Sequence, residues 1–260
     1  MFIGNNKRCN ILYYNTYMDT RFWGPPAWIL LHSIAYIYQP NLINEYELFF
    51  TNIQNVLPCI YCRDSYTEYI ERLPIRPFLK TGRMFEWLYR VHNMVNDKLR
   101  QQGLLTTADP SLKEMRSKYK EITESFDTCK TREQSIMGWN FLYCIAFVYP
   151  ENGSSIAQTS HFSGYMIFFS LLSKLLPDQG GFRDIYNKYI SKASFYDALK
   201  SRDTLKKWVY DLEKIMDKQQ RVKCKPLSRI EEIIEQYRAG CGGKTPDSQP
   251  TCRSKSNTKK

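Results

Sequence analysis

No apolar run in this 260-residue sequence approaches the eighteen or so residues that a membrane span needs; the best stretch, Tyr165 to Leu176, is short and interrupted by Lys174. The first twenty residues also lack a continuous apolar segment that could act as a secretory signal, so the reading is a soluble protein made without Sec-type export. Eight cysteines are too few for a disulfide-built miniprotein of this length. Disorder is excluded from the other side, by 43% hydrophobic and 15% aromatic residues. One large domain or two smaller ones can bury a core at this length.

A net charge of +11 invites a nucleic-acid reading, but the charge is unevenly placed. From Lys218 to Lys260 there are eleven Lys/Arg and four Asp/Glu, a net +7, which leaves only +4 for the preceding 217 residues. The positive charge belongs to a tail, and a solvated basic tail accounts for it without an anionic partner.

Helical periodicity dominates the chain. Pro25 and Pro26 sit where a first helical turn tolerates them, ahead of a helix running from Trp28 to Tyr38 and stopped by Pro40. Further helices fit Glu45–Val56, Pro58-Cys59 to about Arg72, and Arg83–Arg100, the last ending near Gly103; Asp109-Pro110 opens a short polar helix. The pattern then starts again. Trp139–Tyr149 echoes Trp28–Tyr38 at an offset of 111, and Phe168–Pro177 echoes Phe49–Pro58 at 119. Arg183–Ile190 echoes Arg63–Ile70 at 120, and Trp208-Val-Tyr210 echoes Trp87-Leu-Tyr89 at 121. Ordered blocks with slowly drifting offsets are what a diverged duplication leaves behind. Ser228-Arg-Ile-Glu231 then reads as a capping box opening one more amphipathic helix, closed by Gly240.

The sharpest local chemistry is Cys59-Ile-Tyr-Cys62 at a helix start, where helix amides and dipole stabilise a thiolate and make a disulfide exchange-competent. An inert pair is the alternative. A zinc site would need a second Cys/His pair of similar spacing, and cysteines 9, 129, 144, 224, 241 and 252 offer none. Trp28, His32 and Tyr36 form one helical stripe, an aromatic core face or a ligand-binding one. His92, Asn93 and Asn96 fall within one turn of an otherwise apolar helix, where polar groups are costly to bury without partners. They fit a capped loop or a flat polar ligand such as a nucleotide.

Taken in order, Trp23-Gly-Pro-Pro-Ala-Trp28-Ile-Leu-Leu-His32, Cys59-Ile-Tyr-Cys62 and His92-Asn93-Met-Val-Asn96-Asp-Lys98-Leu99 resemble the motifs of the Erv/ALR flavin-linked sulfhydryl oxidases. The resemblance covers roughly residues 21–120, and the tyrosine- and asparagine-rich style resembles versions encoded by large DNA viruses. It implies an all-α fold: a four- or five-helix FAD-binding bundle over 21–122, followed by a second helical domain over 135–239 that reads as a degenerate copy. Residues 1–20 are then an N-terminal extension, 123–134 a linker and 240–260 a flexible basic tail.

The implied activity is oxidation of protein thiols to disulfides, with FAD as cofactor, oxygen reduced to hydrogen peroxide, and no metal. Cys59 and Cys62 would be catalytic; Trp23, Gly24, Trp28, His32, Tyr36, His92, Asn93, Asn96 and Lys98 would hold FAD, with Lys98 near its phosphates. The family's Leu-Gly-Lys is replaced by Leu99-Arg100-Gln101, with Arg100 as a substitute phosphate ligand, and its later tryptophan has no equivalent before residue 125. In the second domain Tyr143 stands for His32 and Glu213 for His92, while Asp178 and Gly181 fall at the cysteine positions, the pattern of a structural partner in a within-chain pseudo-dimer. A homodimer is the other arrangement. Cys144 reads as a buried thiol; Cys241 with Cys252, or Cys9, could relay electrons; Cys129 and Cys224 have no assignment. The expected setting is host cytoplasm or virion. The competing reading is a non-enzymatic helical adaptor whose tail binds nucleic acid or an anionic surface.

Overall fold

A computed structural model describes residues 17–124, 135–150, 155–178, 181–220 and 225–239. It is helical, apart from one two-residue antiparallel pairing of β1 (Tyr17–Met18) with β2 (Arg238–Ala239). No described helix is long and apolar enough to cross a membrane.

The first bundle contains α1 (Thr20–Tyr36), α2 (Ile43–Val56), α3 (Ile60–Arg72), the short α4 (Arg76–Lys80), α5 (Met84–Gln101) and α6 (Leu112–Glu124). α1 starts well before the two prolines. Asp19 caps it by accepting the Arg21 N–H at 2.9 Å, so Pro25 and Pro26 lie inside the helix, beyond the first turn expected for them. α6 is opened by Ser111 and Glu114, whose side chains each accept the other's backbone N–H, so the capping box stands here. At Ser228 none forms: α12 (Leu227–Gln236) has Pro226 as its N-cap, two residues ahead of Ser228, which already lies in the first turn. It stops at Gln236 rather than Gly240, because Arg238 and Ala239 give their backbone to β1 instead.

The remaining helices are α7 (Trp139–Phe147), α8 (Ser155–Leu175), α9 (Phe182–Lys192), the short α10 (Phe195–Ala198) and α11 (Arg202–Gln220). α7 packs against α1, α11 and α12, which explains why it is apolar all round. α4 and α10 are too short for a periodic pattern to announce them.

Both sequence halves carry the same tertiary bonds. The Tyr66 hydroxyl donates to Phe50 O at 2.8 Å, and Tyr186 to Phe169 O at 2.6 Å. Tyr38 bonds Leu79 O at 3.0 Å, and Tyr149 bonds Leu199 O at 2.7 Å. The Trp87 indole N–H reaches Leu73 O, and that of Trp208 reaches Ala193 O. Phe50 meets Trp87 edge-on at 5.6 Å, as Phe169 meets Trp208. The hydrogen bonds tie aromatic side chains to backbone carbonyls of neighbouring elements.

The two sets of helices meet between α2 and α8. Phe49 and Phe168 stack at 5.2 Å between α2 and α8. Asn52 Nδ2 donates to Gly164 O at 2.7 Å, and Lys174 reaches Glu45 at 2.8 Å. Two glycines make the approach close enough. A Cβ at Gly164 would lie 2.7 Å from Asn55 Cβ, and one at Gly138 would lie 2.5 Å from Pro26 O.

Gly82 and Gly138 both have positive φ, but a Cβ at Gly82 meets nothing within 4 Å. Gly82→Ala should therefore cost only the left-handed penalty, about 1 kcal/mol. Gly138→Ala should cost about 2 kcal/mol more through the clash with α1. Thermal melts of the two variants check this; equal losses would show that the α1–α7 approach has slack.

Candidate functional site

α3 begins at the dithiol. Cys59 is its N-cap, with extended backbone, and its Sγ accepts the Cys62 N–H at 3.3 Å. Pro58 O accepts the Met18 N–H at 3.0 Å, and Leu57 O accepts Arg63 Nε at 2.6 Å, so the approach to the helix is held from both sides. Cys59 is buried, 4% exposed, whereas Cys62 is partly exposed and lines a cavity of about 760 Å³.

That cavity lies among α1, α3, α5 and α6. Its wall includes Arg21, Lys98 and Lys118 and no carboxylate, so it suits an anionic ligand. On its α1–α5 side Trp28 and His92 stack at 3.8 Å with an interplanar angle of 12°. Behind them, His32 Nε2 lies 3.1 Å from His92 Nδ1, one ring donating and the other accepting. Tyr119 closes this side: its ring stacks on His32 at 4.8 Å and its hydroxyl donates to Trp28 O at 3.2 Å.

Among the residues expected at the site, Cys62, Trp23, Gly24, Trp28, His92, Asn96 and Lys98 line the cavity together. A Cβ at Gly24 would meet nothing within 4 Å, which leaves room for a ligand to approach that backbone. His32 is fully buried behind His92, Tyr36 turns its ring edge-on to Phe85 at 5.9 Å, and neither they nor Asn93 line the cavity. Asn96 donates to Asp109 at 2.6 Å, and Arg100 is held by Asp97, Asp109 and Thr107 O, away from the cavity. Arg100 is therefore committed to the loop after α5. Lys98 donates to Ser65 Oγ at 2.6 Å, on the same wall as Cys62.

Sequence reading missed Ser65, Met115, Lys118 and Tyr119, all of which line the cavity. The i, i+4 pair Met115/Tyr119 on an otherwise polar helix was the available signal. Cys144 is fully buried on α7. Cys9, Cys129, Cys224, Cys241, Cys252 and the 240–260 tail lie outside the described residues. No group of three metal-ligating side chains occurs among the described residues.

Burial pushes the His92 imidazole down to about 4, Asp109 opposing and Lys118 reinforcing the shift. His32 is driven well below its usual value by burial, then by His92 and Lys118. The unfolded chain, whose histidines titrate near ~6.5, binds more protons below that pH. The pair's stabilisation is thus complete above about pH 6.5 and lost as pH falls toward 4. Thermal melts should show Tm dropping through this window, with a shallower drop in His92→Gln; parallel curves would contradict the assignment.

Residues 25–120 match the family model described as Erv1 / Alr family. The chain is 31% identical over 85 residues to a protein of Acanthamoeba polyphaga mimivirus named a FAD-linked sulfhydryl oxidase, covering 30% of this chain and 59% of the relative. A protein of Invertebrate iridescent virus 3 with the same name is 30% identical over 92 residues, covering 34% of this chain and 62% of the relative. The chain thus spans about three fifths of the length of these curated relatives. No solved structure matches it significantly. The dithiol, the Trp28–His92 stack and most of the cavity wall fall inside the segment that matches the Erv1 / Alr family model.

Proposed function

We propose that the protein is an FAD-linked thiol oxidase that forms disulfides in thiol-containing protein substrates and passes the electrons to oxygen. The observation that carries this reading is the cavity: about 760 Å³, with Cys62 in its wall, stacked aromatic rings, three cations and no acid. That volume and lining fit a dinucleotide better than a metal or a peptide. The names of the two viral relatives support the same cofactor and chemistry.

Trp28, His92 and Tyr119 would hold a flat ring system, and Arg21 and Lys118 would face its diphosphate. FAD, when bound, would accept two electrons from the dithiol and hand them to oxygen as hydrogen peroxide. The protein's own part is thiol exchange. A substrate thiolate attacks Cys59 Sγ, the Cys59–Cys62 bond breaks, and its electron pair leaves on Cys62 Sγ. A second substrate thiolate then displaces Cys59, which leaves as a thiolate at the start of α3, where the helix amides stabilise it. With Cys59 only 4% exposed, access to its sulfur sets the pace for bulky substrates.

We also propose that residues 135–239 are a degenerate copy of the first bundle and take the place of a second subunit. The paired hydrogen bonds support it, as does the contact of Phe49 with Phe168, its equivalent at offset 119. α12 packs on α7 as α6 packs on α1, so the parallel extends to the fifth helix. The face that would pair two molecules is already covered.

Purified protein should carry flavin absorbance, consume oxygen with a small dithiol, and lose more than about 100-fold of that rate in Cys62→Ser. A colourless protein, or unchanged uptake in the variant, would refute the oxidase. Light scattering should give a monomer; a dimer formed through α2 would refute the internal copy.

A further inference from the structure

We infer that Lys98 is a positioning residue for the dithiol, its ammonium holding Cys62 in the thiolate form when the disulfide opens. The inference deepens the thiol-oxidase reading and rests on it. It starts from a hydrogen-bond chain. Ser65 Oγ gives its single proton to Tyr61 O at 2.8 Å, so its lone pairs face Lys98 Nζ, which donates to it at 2.6 Å. The serine thus fixes where the ammonium sits.

Ser65 lies three residues beyond Cys62, and on a helix such residues are neighbours on one face, about 5–6 Å apart at Cβ. Cys62, Ser65 and Lys98 all line the same cavity. Among the described residues the Lys98 ammonium is held by a neutral hydroxyl, Ser65 Oγ, and no acid lines the wall. Its charge is left for whatever anion appears there.

The other groups around the cavity do not compete for this role. From α1, Arg21 is bound by the Asp19 carboxylate. From α6, Lys118 lies 5.8 Å from the Tyr119 ring and acts on the two histidines. From α5, His92 is neutral at pH 7. On α3 itself, Tyr66 is kept as a neutral phenol by burial, and Arg63 gives its Nε to Leu57 O. The helix amides at the start of α3 also favour a thiolate, and Lys98 adds to them from the neighbouring helix.

The consequence is kinetic. When a substrate thiolate bonds to Cys59 Sγ, the electron pair of the broken disulfide goes to Cys62 Sγ, and no other oxidant or proton donor is needed. A leaving thiolate of lower basicity departs faster. Neutralising residue 98 should therefore slow exchange without touching either sulfur.

The test is the pH profile of iodoacetamide alkylation in the fully reduced full-length protein, with Cys62 and Cys59 followed separately by peptide mass spectrometry. Lys98→Met should raise the Cys62 midpoint by about one pH unit and slow its alkylation about tenfold below that midpoint. Lys98→Arg should restore the wild-type profile, and Ser65→Ala should shift it less than Lys98→Met, in the same direction. Coincident Cys62 profiles for wild type and a folded Lys98→Met overturn the proposal, as does Lys98→Arg behaving like Lys98→Met. If Lys98→Met fails to fold, an unshifted Ser65→Ala profile overturns it. Alkylation needs neither flavin nor oxygen, so a Cys62 shift in a colourless protein would uphold Lys98 while refuting the oxidase.

Discussion

The wall of the cavity of about 760 Å³ is built from helices that touch one another on only part of their surface, and much of this structure answers that constraint. Helices that line a binding cavity have fewer protein neighbours on that face, so they are held from their other faces. α1 is held by α7, α2 by α8, and the loop after α5 by Arg100, Tyr89 and Asn96 acting on Thr107, Pro110 and Asp109. The hydrogen bonds of Tyr38, Tyr46 and Tyr66 to backbone carbonyls stiffen the same frame.

In the second half the positions at the same sequence offsets are filled by buried side chains. At the offset positions, Trp139, Glu213, Met216 and Asp217 are all at most 3% exposed, where Trp28, His92, Val95 and Asn96 are partly exposed. Each half also has a polar contact across its helices: His32 with His92 in the first, and a Tyr143 hydroxyl donating to Glu213 at 2.7 Å in the second. The two rings sit beside the cavity, whereas the Tyr143–Glu213 pair is packed in the interior of its own helices.

Much of this was legible in the chain. The α-helical class, the order of α1, α2, α3 and α5, and the dithiol at the start of α3 follow from apolar spacing and from Cys59-Ile-Tyr-Cys62. The parallel between Trp28 and Trp139, or Phe49 and Phe168, was visible as drifting offsets. Local rules failed where a competing contact existed. Ser228 and Glu231 have capping-box spacing, yet Pro226 sets the helix start; Ser111 and Glu114 have the same spacing and do cap. Pro25 and Pro26 suggested a helix start, but Asp19 caps the chain earlier.

The amino-acid sequence by itself determined the helices, the dithiol motif and the residue types available for a site, because these depend on periods of three and four residues and on local capping. Only the tertiary structure decided which side chains share a wall. It set His32 behind His92, turned Tyr36 to Phe85, took Arg100 to the loop, and brought Lys98 from α5 onto Ser65 of α3. Those outcomes depend on how helices far apart in sequence are rotated about their axes, and a small rotation decides whether a side chain faces the void or its neighbour. Helical spacing fixes a residue's neighbours on its own helix; packing fixes what that face meets.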